Sequence, residues 1–461
     1  MEGILPVTVA STSEQSTSTV EAGRRFPTDF WWGSATSSYQ IEGAADVDGR
    51  GESIWDRFCS TPGTIKDGTS GADACDHYHR YDDDVAMMQR LHLNAYRFSI
   101  AWPRVLPQGT GQVNARGLDF YERLVDSLLA AGIQPFPTLY HWDLPQVLED
   151  AGGWPVRATA EAFAEYAGVV VSRLGDRVTN WMTLNEPFVS ANHGYLTGEH
   201  APGRTCLADS LAASHHLLLG HGMAMERIRA AVPGADVGVV LNFTPVTPIG
   251  TSPAALDRQQ IVNDLENRWY VDPIGGLGYP QYTVDRLGWA QTEIHDGDMG
   301  LIARPIDMLG INFYTRQMIG AMTGEREARG SLTAMGWEVH PTALGDLLRG
   351  LHGTHGFPRY LITENGAAMP DETVVDGRVI DDDRLEYVAA HLAQVHQVME
   401  DGVPVEGYFA WSLLDNFEWA HGYGPKFGLV AVDRATQHRT PKKSALWYAE
   451  VARSGEIQPG S

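Results

Sequence analysis

Short apolar segments alternate with amphipathic helical segments along most of the chain. Eight of the apolar segments have the length, the β-branched content and the flanking turn residues of buried parallel strands. These segments are residues 31–38, 95–100, 134–140, 178–184, 236–244, 308–314, 360–363 and 405–412. Eight strands separated by helices predict an α/β fold of the (β/α)8 TIM-barrel type, although the alternation alone is also compatible with a doubly wound open sheet.

The segments between the strands carry the helical pattern. One helix is predicted over residues 114–131, where leucine and tyrosine recur at three- and four-residue spacing. It is bounded by Asn114, a favourable N-cap, and by Gly132, a favourable C-terminal glycine. Another helix is predicted after the acidic run at 381–383 and ends near Gly402. Acidic residues at a helix start interact favourably with the helix dipole, which supports that placement.

The composition of the chain does not change in a way that would separate a second domain. We therefore predict one barrel domain over residues 24–455. A tail at residues 1–23 precedes it, and its richness in Ser, Thr and Glu favours disorder. Three segments rich in glycine and polar residues, at 44–76, 191–207 and 318–341, are predicted to be long loops that follow strands. Substrate pockets are commonly built from such loops.

Composition and charge disfavour several classes of partner. The chain has 461 residues and a formal charge of −24, and such a negative field disfavours binding to nucleic acid. No run approaches the roughly 18 apolar residues of a membrane helix, so no membrane association is predicted. The three cysteines are interpreted as reduced thiols, and no signal-peptide pattern is found ahead of the barrel. These features predict a cytoplasmic protein, and they leave open whether it forms a homo-oligomer.

Polar and aromatic residues gather at the ends of the predicted strands. From the first strand to the eighth they are Gln40, Arg97, His141, Trp142, Asn185, Glu186, Asn312, Tyr314, Glu364, Trp411, Glu418 and Trp419. In a barrel, the carboxyl ends of the strands form one face, which carries the active site. Amide, imidazole and carboxylate groups bond hydroxyls, and indole rings stack on the apolar face of a sugar ring. The set therefore predicts a carbohydrate site on that face.

Two carboxylates in this set have a further significance. Glu186 follows the apolar run 178–184 within Thr-Leu-Asn-Glu-Pro, and Glu364 follows the run 360–363 within Ile-Thr-Glu-Asn-Gly. Glycoside hydrolysis needs a pair of carboxyl groups, one of which protonates the leaving oxygen while the other attacks or stabilises the sugar cation. Because a closed barrel places the ends of all its strands on one rim, we expect Glu186 and Glu364 to face each other.

Several motifs, in order along the chain, resemble those of glycoside hydrolase family 1, the β-glucosidase family. They are FWWGSATSSYQIEG at 30–43, YRFSIAW at 96–102, YHWDLP at 140–145, TLNEP at 183–187, ITENG at 362–366, WSLLDNFEW at 411–419 and YGPKFG at 423–428. The resemblance extends from about Phe26 to Tyr448 and implies the barrel fold.

The resemblance also implies roles for the matching residues. Glu186 would be the general acid/base, with a raised pKa, and Glu364 the nucleophile. Arg97 and Tyr314 would support Glu364 by lowering its pKa. The implied sugar-binding residues are Gln40, His141, Trp142, Asn185, Asn312, Tyr314, Trp411, Glu418, Trp419 and Phe427. Trp337 would be a platform for the leaving group, and His193 would line the same entrance.

The implied function is a retaining β-glucosidase acting on cello-oligosaccharides and on aryl or alkyl β-glucosides, with β-galactosides and β-fucosides as further substrates. Glu418 occupies the region where phospho-sugar members carry a phosphate clasp, and its charge would repel a phosphate. A transglycosidase remains an alternative, whereas a non-catalytic sugar-binding protein is disfavoured because both carboxylates are present. No cofactor or metal is implied, since the histidines in Asp76-His77-Tyr78-His79 are not spaced to share a helix face.

Overall fold

Each of the eight predicted strand segments overlaps one strand of a closed parallel barrel. The computed structural model describes residues 23–322, 324 and 326–458. The barrel strands are β1 (Trp31–Ala35), β2 (Ala95–Ser99), β3 (Gln134–Tyr140), β4 (Asn180–Asn185), β5 (Asp236–Phe243), β6 (Met308–Phe313), β7 (Tyr360–Asn365) and β8 (Val405–Trp411). Each pairs with its neighbours in chain order, and β8 pairs with β1 to close the barrel. The predicted TIM-barrel fold is confirmed, and the open sheet is excluded.

Helices connect the strands. The α-helices are Ser38–Ile41, Ile54–Ser60, His77–Arg90, Trp102–Val105, Ala115–Ala130, Gln146–Asp150, Arg157–Leu174, Pro187–Asn192, Leu207–Ala231, Pro253–Asn263, Trp269–Ile274, Gln281–Leu287, Asp298–Ile302, Thr342–His355, Asp382–Glu400 and Lys443–Ser454. Two π-helical turns, His193–Thr197 and Asp264–Arg268, and a 3₁₀ turn, Trp419–His421, lie between them.

Short strands form smaller sheets outside the barrel. Val246–Pro248, Gln317–Ile319 and Arg326–Glu327 make a three-stranded sheet. Three antiparallel pairs are Arg24–Arg25 with Glu456–Ile457, Val374–Val375 with Arg378–Val379, and Val430–Val432 with Arg439–Pro441. The pairing of Arg24–Arg25 with Glu456–Ile457 brings the two ends of the described part of the chain together.

The barrel interior contains at least one buried apolar side chain from each strand. In strand order these are Ala35, Ala95, Phe136, Met182, Val240, Met308, Leu361 and Phe409. They form a cluster separate from the larger core. An eight-stranded barrel is just wide enough for side chains to fill it, so the interior is packed and any ligand must bind at its rim.

The two predicted helices are present, with a difference at one start. Helix Ala115–Ala130 follows Asn114 as predicted, but the side chain of Asn114 does not cap it. Its Nδ2 instead donates to the carbonyl oxygens of Asp48, at 2.8 Å, and Arg104, at 2.9 Å. Asn114 therefore fastens the loop that contains Asp48, which is one of the predicted loops between strands. The second helix, Asp382–Glu400, begins inside the acidic run.

Some predictions about the chain as a whole stay predictions. The predicted disordered tail lies outside the described residues, except for Gly23, and the domain bounds 24–455 are not tested. In the part of the chain that the structure describes, no helix has both the length and the apolar character to cross a membrane. The cytoplasmic location and the oligomeric state remain expectations.

Candidate active site

A cavity of about 930 Å³ opens at the carboxyl ends of the barrel strands. Most of the predicted site residues line it, namely His141, Trp142, Glu186, Asn312, Tyr314, Trp337, Glu364, Trp411, Glu418, Trp419 and Phe427. His193 lines it as well. Gln40, Asn185 and Arg97 are not among the lining residues and are fully buried behind them. The structure therefore brings the two carboxylates and most of their predicted neighbours to one cavity.

Glu364, near the end of β7, is held by a cation and a phenol. Nη1 of Arg97 donates to Oε1 of Glu364 at 2.5 Å, and the hydroxyl of Tyr314 donates to Oε2 at 2.5 Å. Arg97 is itself fixed, because Nε donates to Thr138 Oγ1 at 3.1 Å and Nη2 donates to Asn185 Oδ1 at 2.6 Å. Both oxygens of the carboxylate therefore have donors, one of them charged.

Glu186, directly after β4, has a neutral partner. Nδ2 of Asn312 donates to Oε1 of Glu186 at 2.6 Å. The Asn312 amide is oriented by Thr363, whose hydroxyl donates to Oδ1 at 2.8 Å. Within the described residues, no cation lies within salt-bridge distance of Glu186. The two carboxyl groups therefore stand in one cavity with different environments, a charged one for Glu364 and a neutral one for Glu186.

Burial raises the pKa of both carboxyl groups. It raises the pKa of Glu186 to about 8, and the negative charge of Glu364 adds to that rise while Asn312 opposes it. This confirms the predicted direction for Glu186. Burial also raises the pKa of Glu364, whereas Arg97 and Tyr314 lower it. The prediction of a lowered pKa at Glu364 is wrong, because desolvation outweighs the two favourable contacts.

Three non-glycine residues at the cavity have left-handed backbone conformations. Glu186 has φ 46°, Trp142 has φ 77° and Trp419 has φ 47°. Such conformations cost about 1–3 kcal/mol each and persist only where the surrounding structure imposes them. Glu186 also precedes Pro187, the first residue of a helix, and a residue before proline avoids the right-handed helical region. The backbone is thus held in an unfavourable form where these three side chains reach the cavity.

His141 presents a fixed donor at the cavity. Its Nε2 lies 3.0 Å from Nδ2 of Asn185 and can only accept from that amide. Burial, with Arg97 nearby, lowers the pKa of His141 well below its usual value, so the ring is neutral and Nδ1 carries the proton. Among the described residues, Nδ1 has no hydrogen-bond partner although it is buried. A ligand hydroxyl is the kind of group that would satisfy it.

Aromatic rings form two groups around the cavity. Trp142 and Trp419 have ring centroids 4.6 Å apart, and the ring of His141 is 6.0 Å from that of Trp411. In the second group, the ring centroid of Trp337 lies 5.4 Å from that of Tyr314 and 6.0 Å from that of Phe427. Flat apolar faces next to polar groups suit a pyranose ring, which has both kinds of surface.

Gln40 lies behind Glu418. Its Nε2 donates to Asn416 Oδ1 at 3.0 Å and to the carbonyl oxygen of Phe417 at 2.9 Å, and it is 3.5 Å from Glu418 Oε2. Its Oε1 accepts from Ser37 at 2.6 Å. The amide that was predicted to bind sugar is therefore engaged within the protein and positions the segment that carries Glu418.

The profile of the family described as Glycosyl hydrolase family 1 matches residues 22–457. The chain belongs to glycosyl hydrolase family 1. It is therefore a glycoside hydrolase, and the resemblance noted in the sequence is confirmed. Beta-glucosidase A of Acetivibrio thermocellus is 44% identical over 440 residues, which cover 93% of this chain and 98% of that protein.

Two further comparisons fit this family 1 membership. A bifunctional beta-D-glucosidase/beta-D-fucosidase of Bifidobacterium breve is 42% identical, with 92% of this chain and 97% of that protein covered. The solved structure of a beta-glucosidase from Thermotoga maritima in complex with glucoimidazole is similar with a TM-score of 0.91 and 42% identity. That match covers 94% of this chain and 100% of the other.

The sequence motifs of this family 1 chain did not identify the residues that form the outer wall of the cavity. Residues there include Phe188, Glu199, His200, Glu266, Gln317 and Arg326. Some of these lie in segments 191–207 and 318–341, which were predicted to be pocket loops. The composition of these segments therefore predicted the position of the wall, but not which of their residues face the cavity. Glu266 lies in a helical turn between strands, and no sequence signal singled it out.

Proposed function

We propose that this family 1 enzyme is a retaining β-glucosidase for neutral sugars. Its substrates are cello-oligosaccharides and aryl or alkyl β-glucosides, from which it removes the terminal non-reducing β-D-glucosyl residue. The observation that supports this most strongly is the unequal environment of the two carboxyl groups. Glu364 has a cation and a phenol as donors, whereas Glu186 has a neutral amide and a pKa raised to about 8. One group is suited to ionised attack and the other to proton donation.

In the first step, Glu364 attacks the anomeric carbon and Glu186 gives its proton to the leaving oxygen. The glycosidic bond breaks, and a bond between Glu364 and the sugar forms with inversion at the anomeric carbon. Arg97 and Tyr314 hold the attacking carboxylate in place, which keeps it near the reacting carbon. The proton on Glu186 removes the need for the leaving group to depart as an alkoxide.

In the second step, Glu186 is a carboxylate and takes a proton from water. The water oxygen bonds the anomeric carbon, Glu364 leaves, and the second inversion restores the β configuration. Once the charge on Glu364 is used in the covalent bond, it no longer raises the pKa of Glu186. This change suits the switch of Glu186 from acid to base. An alcohol that replaces water would give transglycosylation as a side reaction.

The sugar class follows from the inner wall. Glu418 lines the cavity beside Trp419, where its carboxyl group offers acceptor oxygens to sugar hydroxyls and no positive charge that would bind a phosphate. Glucose is supported by the names of the relatives, and activity on β-fucosides is supported by the bifunctional relative of Bifidobacterium breve. Activity on β-galactosides is proposed from the sequence resemblance alone. We expect 4-nitrophenyl β-glucoside to be hydrolysed far faster than its 6-phosphate. The reverse order would contradict the neutral-sugar assignment.

Product stereochemistry tests the mechanism directly. Proton NMR of the first turnovers on 4-nitrophenyl β-glucoside should show β-glucose before mutarotation produces the α form. Glu364→Gly should abolish turnover, because no group remains to form the covalent intermediate. The appearance of α-glucose first, or full activity in Glu364→Gly, would overturn the proposal.

A further inference from the structure

The outer half of the cavity is built partly from two π-helical turns. His193–Thr197 and Asp264–Arg268 are the π turns of the described residues, and they contribute His193 and Glu266 to the cavity wall. π-helical turns are rare in proteins, and those that do occur are often found at functional sites. Both turns line the same cavity, and the charges of Arg326 and His193 lower the pKa of Glu266. Among the described residues, no side chain of either turn donates a hydrogen bond to the carboxyl group of Glu186 or Glu364.

Glu266 is a carboxylate with unused acceptor capacity. Its Oε2 accepts from Nε2 of Gln317. Within the described residues it has no ion pair, although a carboxylate can accept about four hydrogen bonds. Burial raises its pKa to about 7, and Gln317 and Arg326 oppose the rise. A group that is costly to bury and is only partly satisfied by the protein is a candidate for contact with a ligand.

The position of Glu266 is fixed by its neighbours. The backbone amide of Gln317 donates to the carbonyl oxygen of Pro245 at 2.9 Å, and Gln317 pairs with Val246 in the three-stranded sheet. The three-stranded sheet therefore holds the backbone of Gln317 in place. An apolar surface stands beside this polar wall, because Phe188 lines the cavity and its ring is 5.7 Å from His193.

We propose that Glu266, held by Gln317, binds hydroxyl groups of a saccharide leaving group and makes this enzyme favour glycosyl over aryl leaving groups. The inference rests on the proposed β-glucosidase function. A sugar offers hydroxyl donors for the carboxylate and an apolar face for Phe188. A nitrophenyl group offers an apolar face but no hydroxyl donor for the carboxylate. Glu266 would thus act on specificity without touching the bond that breaks.

Kinetics on two classes of substrate test this role. In Glu266→Ala, kcat/KM for cellobiose and cellotriose should fall about ten-fold, because a hydrogen bond to a charged group is lost. The value for 4-nitrophenyl β-glucoside should change less than about two-fold, because that leaving group donates no hydrogen bond. Glu266→Gln keeps the shape and one acceptor oxygen, so it should show a smaller fall in the same direction. Glu226→Ala is a control away from the cavity, since Glu226 is exposed on helix Leu207–Ala231 and pairs with Arg304.

The outcomes separate the two proposals. Equal losses on cello-oligosaccharides and on the aryl glucoside in Glu266→Gln would show that Glu266 only braces the fold, and would overturn the inference. If Glu266→Ala fails to fold, the ratio of the two substrates in Glu266→Gln decides. A wild-type enzyme that hydrolyses no β-glucoside would instead refute the proposed function. A wild-type enzyme that is active, with an unchanged substrate ratio in both variants, would refute the role of Glu266 alone.

Discussion

Arg97 and Glu364 form a buried ion pair across the mouth of the barrel, with Nη1 and Oε1 2.5 Å apart. Arg97 belongs to β2 and Glu364 to β7, which are separated in the barrel by β8 and β1. The pair therefore joins strands that share no backbone hydrogen bonds. A charge buried at this position without its partner would be strongly unfavourable.

Replacement of Arg97 should affect stability and activity together. Arg97→Gln leaves the charge of Glu364 uncompensated, so the free energy of unfolding should fall by about 3–5 kcal/mol. The activity should also fall, because the pKa of Glu364 rises further and less of the ionised form is present. Urea unfolding and kcat/KM on 4-nitrophenyl β-glucoside measure the two effects. Arg453→Gln, which breaks an exposed pair with Glu450, should cost no more than about 1 kcal/mol; equal losses in both variants would contradict this account.

Replacement of Glu186 should have effects that depend on the leaving group. Glu186→Gln cannot give a proton, so kcat/KM for cellobiose should fall by about 10²–10⁴-fold. A 2,4-dinitrophenyl glucoside needs little protonation, so its first step should be affected far less. Initial rates on the two substrates give the comparison. A uniform loss on both would argue against a proton-donating role.

The rate of the enzyme should fall at alkaline pH as Glu186 loses its proton. Since the pKa of Glu186 is raised to about 8, kcat/KM for an aryl glucoside should decline above that pH. Glu186→Gln should remove this decline from what activity remains. Glu418 also has a pKa raised to about 8, so Glu418→Gln is the necessary control and should retain the decline. If the decline disappears in Glu418→Gln instead, Glu418 is the titrating group.

Glu418 should make folding stability depend on pH. Burial, together with the charge of Glu364, raises its pKa from 4.5 in the unfolded chain to about 8. Between those values the folded form binds a proton that the unfolded form lacks, so stability is greatest below pH 4.5 for this group and declines toward pH 8. The slope is about 1.4 kcal/mol per pH unit for one proton. Glu418→Gln should therefore flatten the decline.

Urea unfolding at several pH values between 5 and 8 would measure that slope. The decline should end near pH 8, because the pKa of Glu418 in the folded protein is about 8. The substitution Glu165→Gln, at an exposed position on helix Arg157–Leu174, is the control and should leave the slope unchanged. An unchanged slope in Glu418→Gln would mean that the folded and unfolded chains bind the same number of protons at this position.

The strands were predictable because buried parallel strands need apolar side chains on both faces. The ends of the strands were predicted less accurately than their positions. β4 was predicted from residue 178 and begins at Asn180, and β7 was predicted to residue 363 and ends at Asn365. Hydrogen-bond pairing with neighbouring strands sets these ends, and a single segment does not contain that information. Asn114 shows the same limit, since its side chain bonds a distant loop rather than its own helix.

The inner wall of the candidate site was predictable because its residues lie in motifs at strand ends. The direction of a pKa shift was predictable from the sequence only where the main effects act in the same direction. For Glu186, burial and the neighbouring charge both raise the pKa, so the direction was clear. For Glu364, burial and the Arg97 contact act in opposite directions, and only their relative size in the folded cavity decides the sign.

The sequence by itself determined the barrel, the two carboxyl groups and the residue types around them, because local patterns of apolar and polar residues encode strands and their ends. The tertiary structure decided which donor each carboxyl group receives, where Gln40 is engaged, and that Glu266 lines the same cavity as Glu186. These facts depend on distances between strands and loops that are far apart in the chain. Such distances are set by the closure of the whole barrel and not by any segment of it.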